Sequence, residues 1–349
     1  MTSPERDDGT LLPSSGSSSP SSTDPDVSGA PRRAPDVSGG PPLTGPTLAP
    51  EAADLLRRLT ELGLRPYAEV GVLAARHAVE AARWMQGEKV AVATTDLLVD
   101  GGDGRLPARV YRPTAAPSTE VPLVVWFHGG GWVCGSVASV DRPCRAIARA
   151  AGAVVVSVEY RRPPETPFPG PLEDAVAATA WCADHAAELG AHPGRVVIGG
   201  DSAGGNLAAA AARWLRDRVA RQVLVYPVLA PPDPAGYPAH NDGYLLTHAD
   251  MVWFWEHHLD GRPATPDAAP LLAPDDELRG LPSGAIAVAG FDPLHDEGVA
   301  YAERLRAAGV DVELRDWPDM IHGFLGMAGE LPQTGSLITW IAAQIGRST

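Results

Sequence analysis

Cysteines and long apolar runs are scarce in this sequence, and a leader segment is not recognisable. The 349 residues include three cysteines, Cys134, Cys144 and Cys182, a set too sparse and too odd for a secreted disulfide framework. No Cys/His spacing suits structural zinc, and no apolar run approaches the roughly 18 residues of a membrane-spanning helix. The first residues also lack the basic and apolar regions of a signal peptide. We therefore expect a cytoplasmic protein with free thiols and no integral membrane segment.

Positive charge is also in short supply. Lys and Arg total 28 against 43 Asp and Glu, which gives a formal net charge of -15. A chain this acidic repels phosphate backbones and anionic lipid surfaces. We therefore expect no nucleic-acid partner, and a small molecule is the expected ligand.

The first 48 residues differ in composition from the rest. They are rich in Ser, Pro, Gly, Thr and Asp and contain almost no aromatic or large apolar side chains. Such a segment cannot bury enough surface to offset the entropy lost on ordering. We predict a disordered tail over residues 1–48 and one folded domain over residues 49–349.

From about residue 90 the chain alternates between short Val-rich runs and Ala-rich helical stretches. Continuous apolar runs are typical of strands buried on both faces, and regular alternation with helices predicts a mostly parallel sheet flanked by helices, an α/β fold. The predicted strands cover residues 89–97, 108–111, 123–128, 153–160, 195–198, 222–226, 285–289 and 312–317. The predicted helices between them cover residues 141–151, 171–189, 206–218 and 298–308.

Two segments lie outside this alternation. Residues 51–86 carry Leu and Val at helical spacing, with Pro66 as a break between two helices. Residues 230–280 are rich in Pro, Trp and His, and a helix over 247–258 with Thr247 as its N-cap is predicted there. Long insertions between core strands often cover an active site. We predict a helical cap formed by about 49–86 and 230–280.

The strongest local motif is Gly200-Asp201-Ser202-Ala203-Gly204. It follows a predicted strand and precedes a predicted helix, which is the context that a GxSxG nucleophile turn requires. Glycines on both sides let the backbone approach closely, so that the Ser202 hydroxyl is raised above the sheet. This pattern predicts that Ser202 is a catalytic nucleophile.

A second glycine-rich motif, His128-Gly129-Gly130-Gly131-Trp132, ends the predicted strand 123–128. Successive glycines leave backbone N–H groups unobstructed, and acyl-transfer chemistry needs such donors for the developing oxyanion. No P-loop pattern accompanies these glycines. The motif therefore favours an oxyanion loop over a phosphate-binding loop.

A hydroxyl nucleophile needs a base, and the base needs an orienting acid. His322 follows the last predicted strand and is the candidate base. Asp292 follows the strand 285–289 and is the preferred acid, because open α/β sheets place function at the carboxyl ends of strands. Asp296 remains an alternative acid at this stage. The order Ser202, Asp292, His322 is the one expected when such a triad is built on this kind of sheet.

Taken together, these motifs resemble the bacterial branch of the hormone-sensitive-lipase family of carboxylesterases, which have an α/β-hydrolase fold. The matching segments, in family order, are HGGGW at 128–132, YRRPPETPFP at 160–169, GDSAGGNLA at 200–208, FDPLHDEG at 291–298 and IHGF at 321–324. The resemblance covers residues 50–345 and implies the triad Ser202, Asp292 and His322. It also implies an oxyanion hole from the backbone N–H groups of Gly130, Gly131 and Ala203, a helical cap, and no cofactor or metal.

The expected activity is hydrolysis of small carboxylic esters through an acyl-enzyme. We predict a preference for acyl chains of about C8 or shorter, because the sequence shows no obvious lipid-docking surface. Trp132 and Phe324 are candidate pocket residues. An amidase or arylformamidase using the same triad, and a non-catalytic ligand receptor on the same fold, remain alternatives. A homodimer and a reactive Cys134 also remain open.

Overall fold

The structure is a computed structural model that describes residues 47–113, 121–238 and 241–348. The predicted disordered tail therefore lies outside the described residues, apart from residues 47 and 48. The described residues all belong to one compact unit. No helix in the described ranges is both long and apolar enough to cross a membrane.

The strands of the described residues are β1 (Ala93–Asp100), β2 (Arg105–Arg112), β3 (Leu123–Phe127), β4 (Val154–Val158), β5 (Val196–Asp201), β6 (Arg221–Val225), β7 (Ser283–Phe291) and β8 (Val312–Ile321). They form one sheet in the order β1-β2-β4-β3-β5-β6-β7-β8. Strand β2 runs antiparallel to both of its neighbours, whereas the pairs from β4 to β8 are parallel. The predicted mostly parallel sheet is therefore confirmed.

The helices of the described residues are α1 (Pro50–Glu61), α2 (Tyr67–Val70), α3 (Val72–Ala81), α4 (Asp141–Ala151), α5 (Gly170–Asp184), α6 (Ala186–Leu189), α7 (Ala203–Trp214), α8 (His248–Leu259), α9 (Asp275–Leu278), α10 (His295–Ala307) and α11 (Gln333–Gly346). Short 3-10 turns cover Ala82–Gln86, Pro270–Leu272 and Phe324–Gly326. The single helix predicted over 171–189 is wrong, because the chain leaves helical geometry at His185 and forms two helices.

Strand alternation divides the core into two layers. In β3, Leu123, Val125 and Phe127 join one buried cluster, and Val124 and Trp126 join the other. Successive side chains of a strand point to opposite faces, so a continuously apolar strand contributes side chains to both layers. Helices α5, α7 and α10 contribute to the first cluster, and α4 and α11 contribute to the second.

The N-terminal helices and the 230–280 insertion contact each other. Helix α8 begins with a capping box, in which Thr247 and Asp250 satisfy each other's backbone N–H groups. The second carboxylate oxygen of Asp250 accepts a hydrogen bond from the backbone N–H of Ala68 at 3.0 Å, which links α2 to α8. The C-terminal part of the insertion contacts a different element, because Arg304 on α10 donates hydrogen bonds to the carbonyls of Leu271 and Ala273.

Candidate active site

The nucleophile candidate occupies a sharp turn between β5 and α7. Ser202 has φ 56° and ψ -120°, a left-handed backbone conformation that is strained for a residue with a side chain. A Cβ added to Gly204 would lie 1.9 Å from the carbonyl oxygen of Phe127, so only glycine fits there. Helix α7 begins at Ala203, directly after the nucleophile candidate, which is three residues earlier than the sequence pattern indicated.

The structure brings the three predicted triad residues together. His322 Nε2 lies 3.0 Å from Ser202 Oγ, and His322 Nδ1 lies 2.7 Å from Asp292 Oδ2. The other oxygen of Asp292 accepts a hydrogen bond from the backbone N–H of Leu294 at 2.9 Å. Asp292 is fully buried, so its carboxylate is held in one orientation toward the imidazole.

The alternative acid does not reach the imidazole of the triad histidine. Asp296 is 70% exposed at its side chain and pairs with His295 at 2.7 Å. Its neighbour Glu297 is half-buried and accepts hydrogen bonds from the backbone N–H groups of Leu229 and Ala230. Asp292 is therefore the acidic residue of this loop that contacts His322.

The glycine loop lies beside the nucleophile. Gly130 and Gly131 line the same cavity as Ser202 and His322. Gly130 has φ 117°, and its carbonyl accepts a hydrogen bond from the backbone N–H of Cys134 at 2.8 Å, which closes the loop into a turn. Ala203 is the first residue of α7, so its N–H has no acceptor within the helix. These are the amides that the family resemblance implies for the oxyanion hole.

His128 supports this loop and does not contact the nucleophile. Its Nδ1 lies 2.9 Å from the carbonyl oxygen of Gly129, and its ring stacks on Tyr160 at 4.3 Å. Burial lowers the pKa of His128 to about 3, so the ring is neutral. The Tyr160 hydroxyl donates to the carbonyl of His128, which fixes the point where β3 enters the loop.

The pocket role predicted for Trp132 and Phe324 is wrong, because neither side chain lines the cavity. Trp132 is fully buried, stacks on His258 at 4.0 Å and donates its indole N–H to Asn206 at 3.2 Å. Phe324 is also fully buried and packs beside Tyr226. Both side chains turn into the core, and the cavity is lined instead by chain neighbours such as Gly131.

The cavity above the triad has a volume of about 490 Å³, which is within the usual range for small-molecule sites. Apolar side chains from the N-terminal helices and from α8 form much of its wall, and they include Leu59, Tyr67, Val70, Met85, Met251 and Phe254. Leu62, Leu64 and Trp84 line it and are 74%, 42% and 46% exposed. The mouth therefore has an apolar rim, which the composition did not reveal.

Tyr226 is a site residue that motif matching missed. It follows β6 with φ 36°, and its ring lies 4.7 Å from that of His322. Its hydroxyl accepts a hydrogen bond from the backbone N–H of Leu325 at 3.3 Å, which fixes the loop after the candidate base. The position of Tyr226 directly after a core strand is the feature of the sequence that could have identified it as a site residue.

Asn206 is a second residue that the motifs did not identify. It is buried on α7, accepts from Trp132 Nε1, and donates to the carbonyls of Val228 and Ala268 at 3.0 and 2.8 Å. One side chain therefore joins the oxyanion loop, the nucleophile helix and the 230–280 insertion. Its place in the helix after GxSxG was the only indication in the sequence.

The thiol of Cys134, near the glycine loop, is not activated as a nucleophile. Cys134 is buried, and burial raises its pKa to about 12. Cys144 and Cys182 are also free and buried. A thiolate nucleophile is therefore not expected near neutral pH.

Comparison with known proteins agrees with this geometry. A family model described as the alpha/beta hydrolase fold matches residues 124–326. The carboxylic ester hydrolase LipN of Mycobacterium tuberculosis is 43% identical over 282 residues, which cover 75% of this chain and 73% of the relative. An arylesterase of Saccharolobus solfataricus is 33% identical and covers 70% of this chain and 80% of the relative.

Solved structures give the same result. An α/β-hydrolase enzyme from the metagenome of Lake Arreo superposes with a TM-score of 0.80 at 34% identity, covering 86% of this chain and 98% of that one. An esterase of Pyrobaculum calidifontis has a TM-score of 0.77 at 35% identity, with the same coverage. The chain belongs to the α/β-hydrolase fold family and, within it, to the carboxylesterases of the hormone-sensitive-lipase type.

Proposed function

We propose that this protein is a serine carboxylesterase in which Ser202 is the nucleophile, His322 the general base and Asp292 the orienting acid. The observation that carries the proposal is the continuous hydrogen-bonded path from Ser202 Oγ through the imidazole to the buried carboxylate. Glycine amides border the same cavity, where an oxyanion would form.

The proposed reaction has two halves, and in each half His322 first accepts a proton and then gives it up. Ser202 attacks the ester carbonyl while His322 accepts its proton, and the imidazolium then protonates the leaving alcohol. The backbone N–H groups of Gly130, Gly131 and Ala203 stabilise the oxyanion. Water, deprotonated by His322, attacks the acyl-enzyme, and the imidazolium returns that proton to Ser202 Oγ as the Oγ–acyl bond breaks and the acid is released. Asp292 stays ionised and stabilises the imidazolium throughout.

The proposed substrates are uncharged esters with short or medium acyl chains. The cavity volume of about 490 Å³ and its largely apolar wall support this class. The exposed apolar rim formed by Leu62, Leu64 and Trp84 makes long-chain esters the critical comparison. We further propose that about 49–86 and 230–280 act as the cap, with α2 and α8 over the site, supported by the Ala68–Asp250 hydrogen bond.

The test is an acyl-length series of p-nitrophenyl esters, run beside matched p-nitroanilides. Ser202→Ala should lower turnover on the order of 10⁶-fold because a triad acts as a unit. Ser336→Ala, on α11 away from the cavity, is the matched serine control and should keep wild-type turnover. Covalent labelling by a fluorophosphonate should also disappear in Ser202→Ala.

Three outcomes would contradict parts of this proposal. An active Ser202→Ala variant would remove the nucleophile assignment. Faster cleavage of anilides than of esters would make the protein an amidase. Best activity on long-chain emulsions would overturn the proposed chain-length preference.

Location and assembly belong to the same proposal. We place the enzyme in the cytoplasm, supported by three free thiols, with a small ester as its partner.

A homodimer is proposed through the edge of the sheet, because β8 is an edge strand. Light scattering after size exclusion tests the assembly, and a purely monomeric mass would refute it.

A further inference from the structure

The residue before the nucleophile carries a carboxylate that the triad does not use. Asp201 ends β5 and lines the cavity beside Ser202. Trp126, from the neighbouring strand β3, donates its indole N–H to Asp201 Oδ1 at 3.2 Å. The carboxylate is therefore held between two central strands, on the side of the sheet where the site opens.

The same carboxylate contacts the oxyanion loop. A Cβ placed on Gly129 would lie 2.5 Å from Asp201 Oδ2 and 3.2 Å from Ser202 Cβ, so the loop backbone packs directly on the pair. The backbone N–H of Gly129 acts on Asp201 as a hydrogen-bond donor that lowers the carboxyl pKa. Gly129 immediately precedes the two glycines proposed to bind the oxyanion.

The groups that interact electrostatically with Asp201 include the candidate base. They are the Cys144 thiol, the Tyr160 and Tyr226 phenols and, with the opposite sign of charge when protonated, the His322 imidazole. Burial raises the pKa of the thiol and of both phenols well above the usual values, so these groups stay neutral. Among the groups named, only His322 gains a positive charge during turnover.

We propose that Asp201 is a positioning residue, which holds the Gly129–Gly131 loop against Ser202 and supplies a second negative charge that stabilises the His322 imidazolium. This inference rests on the proposed function. Burial raises the pKa of Asp201 to about 6 despite the Trp126 hydrogen bond, so the carboxylate is ionised at pH 7 and above. Protonation below pH 6 removes both its acceptor strength and its charge.

The first measurement uses the wild-type enzyme. Its acid-side profile of kcat/KM should become steeper than a slope of one near pH 6, because protonation of the base removes activity and protonation of Asp201 lowers the remaining activity by about 10- to 100-fold. An acid limb with a slope of one throughout would overturn the proposal without any variant being made.

The second measurement compares two variants. Asp201→Asn should lower kcat by about 10- to 100-fold with KM within about threefold, since loop amides act in the transition state. Its acid-side profile should have a slope of one and a midpoint about one pH unit lower, because the imidazolium loses a neighbouring anion. Trp126→Phe removes a hydrogen bond but keeps the charge, so it should retain the steep acid limb of the wild-type enzyme.

The control is Asp174→Asn, a substitution of another buried carboxylate, which binds Arg161 away from the cavity. It should lower the unfolding midpoint and leave the pH profile unchanged. An Asp201→Asn variant with wild-type kcat and profile would refute the inference. Failure of the proposed function is separate, since it would appear as retained activity in Ser202→Ala.

Discussion

Replacing Asn206 by Asp tests whether one buried amide joins the oxyanion loop to the insertion. The substitution keeps the size of the side chain and an acceptor for Trp132. It replaces an amide N–H₂ that donates to Val228 and Ala268 by an oxygen that faces two carbonyl oxygens. Two hydrogen bonds disappear, and the new carboxyl has no donor of its own to offer when ionised.

The magnitude follows from the groups left unpaired. Each buried carbonyl without a partner costs about 1–3 kcal/mol, so the free energy of unfolding should fall by about 3–5 kcal/mol at pH 8. Burial raises the pKa of the introduced carboxyl above the unfolded value of about 3.9. The penalty therefore grows with pH above about 4, by about 1.4 kcal/mol per pH unit, until the carboxyl is fully ionised.

Urea unfolding followed by tryptophan fluorescence at pH 5, 6.5 and 8 measures this penalty. The difference from wild type should widen with pH for Asn206→Asp. It should stay constant for Asn206→Ala, which introduces no titrating group. A pH-independent difference for Asn206→Asp, or one below about 1 kcal/mol at pH 8, would refute the reasoning.

Three further predictions concern charge, sterics and thiols. Hydrogen bonds to Asp316 and a second carboxylate raise the pKa of His295 to about 9. This stabilisation is complete below about pH 6.5 and is lost as pH rises through 9, so His295→Ala should cost about 1 kcal/mol more at pH 6 than at pH 10 in urea titrations, and an equal cost would contradict it. Gly131→Ala should lower kcat on the order of 10²-fold because its Cβ would lie 2.1 Å from the Phe254 ring, and Phe254→Ala added to it should recover part of the loss; no recovery would exclude this clash as the cause. A thiol reagent at pH 8 should leave activity unchanged and react only after unfolding, since Cys134 and the other two cysteines are buried; rapid inactivation of the native enzyme would contradict this.

The positions of the candidate triad residues could be predicted because they depend on local backbone geometry. A nucleophile on a strand-to-helix turn needs glycine on both sides, and the close approach of Gly204 to Phe127 shows why. The candidate acid follows β7, whose apolar run was visible in the sequence, and the candidate base follows β8, the last predicted strand. The helix predicted over 247–258 is observed at His248–Leu259, with Thr247 as its N-cap. It could be predicted because the two residues of its capping box are only three positions apart in the sequence.

The remaining features depend on contacts between distant segments. Trp132 was expected in the pocket because it follows the glycine loop, but its stacking partner His258 lies 126 residues further along the chain. Strand β1 was predicted over 89–97 and occupies Ala93–Asp100, because its mostly exposed residues carry little register information without the partner β2. The apolar rim was invisible for the same reason, since burial of a leucine is decided by tertiary packing.

The order in which the catalytic strands are synthesised has a consequence for the unfinished chain. Ser202 directly follows a central strand, whereas its proposed base is 120 residues further along and follows the terminal strand of the sheet. Pairings over such separations form late, after the loop-closure entropy has been offset by other contacts. A nascent or C-terminally clipped chain therefore carries a hydroxyl without a proton acceptor, so hydrolytic activity reports completed folding of the domain.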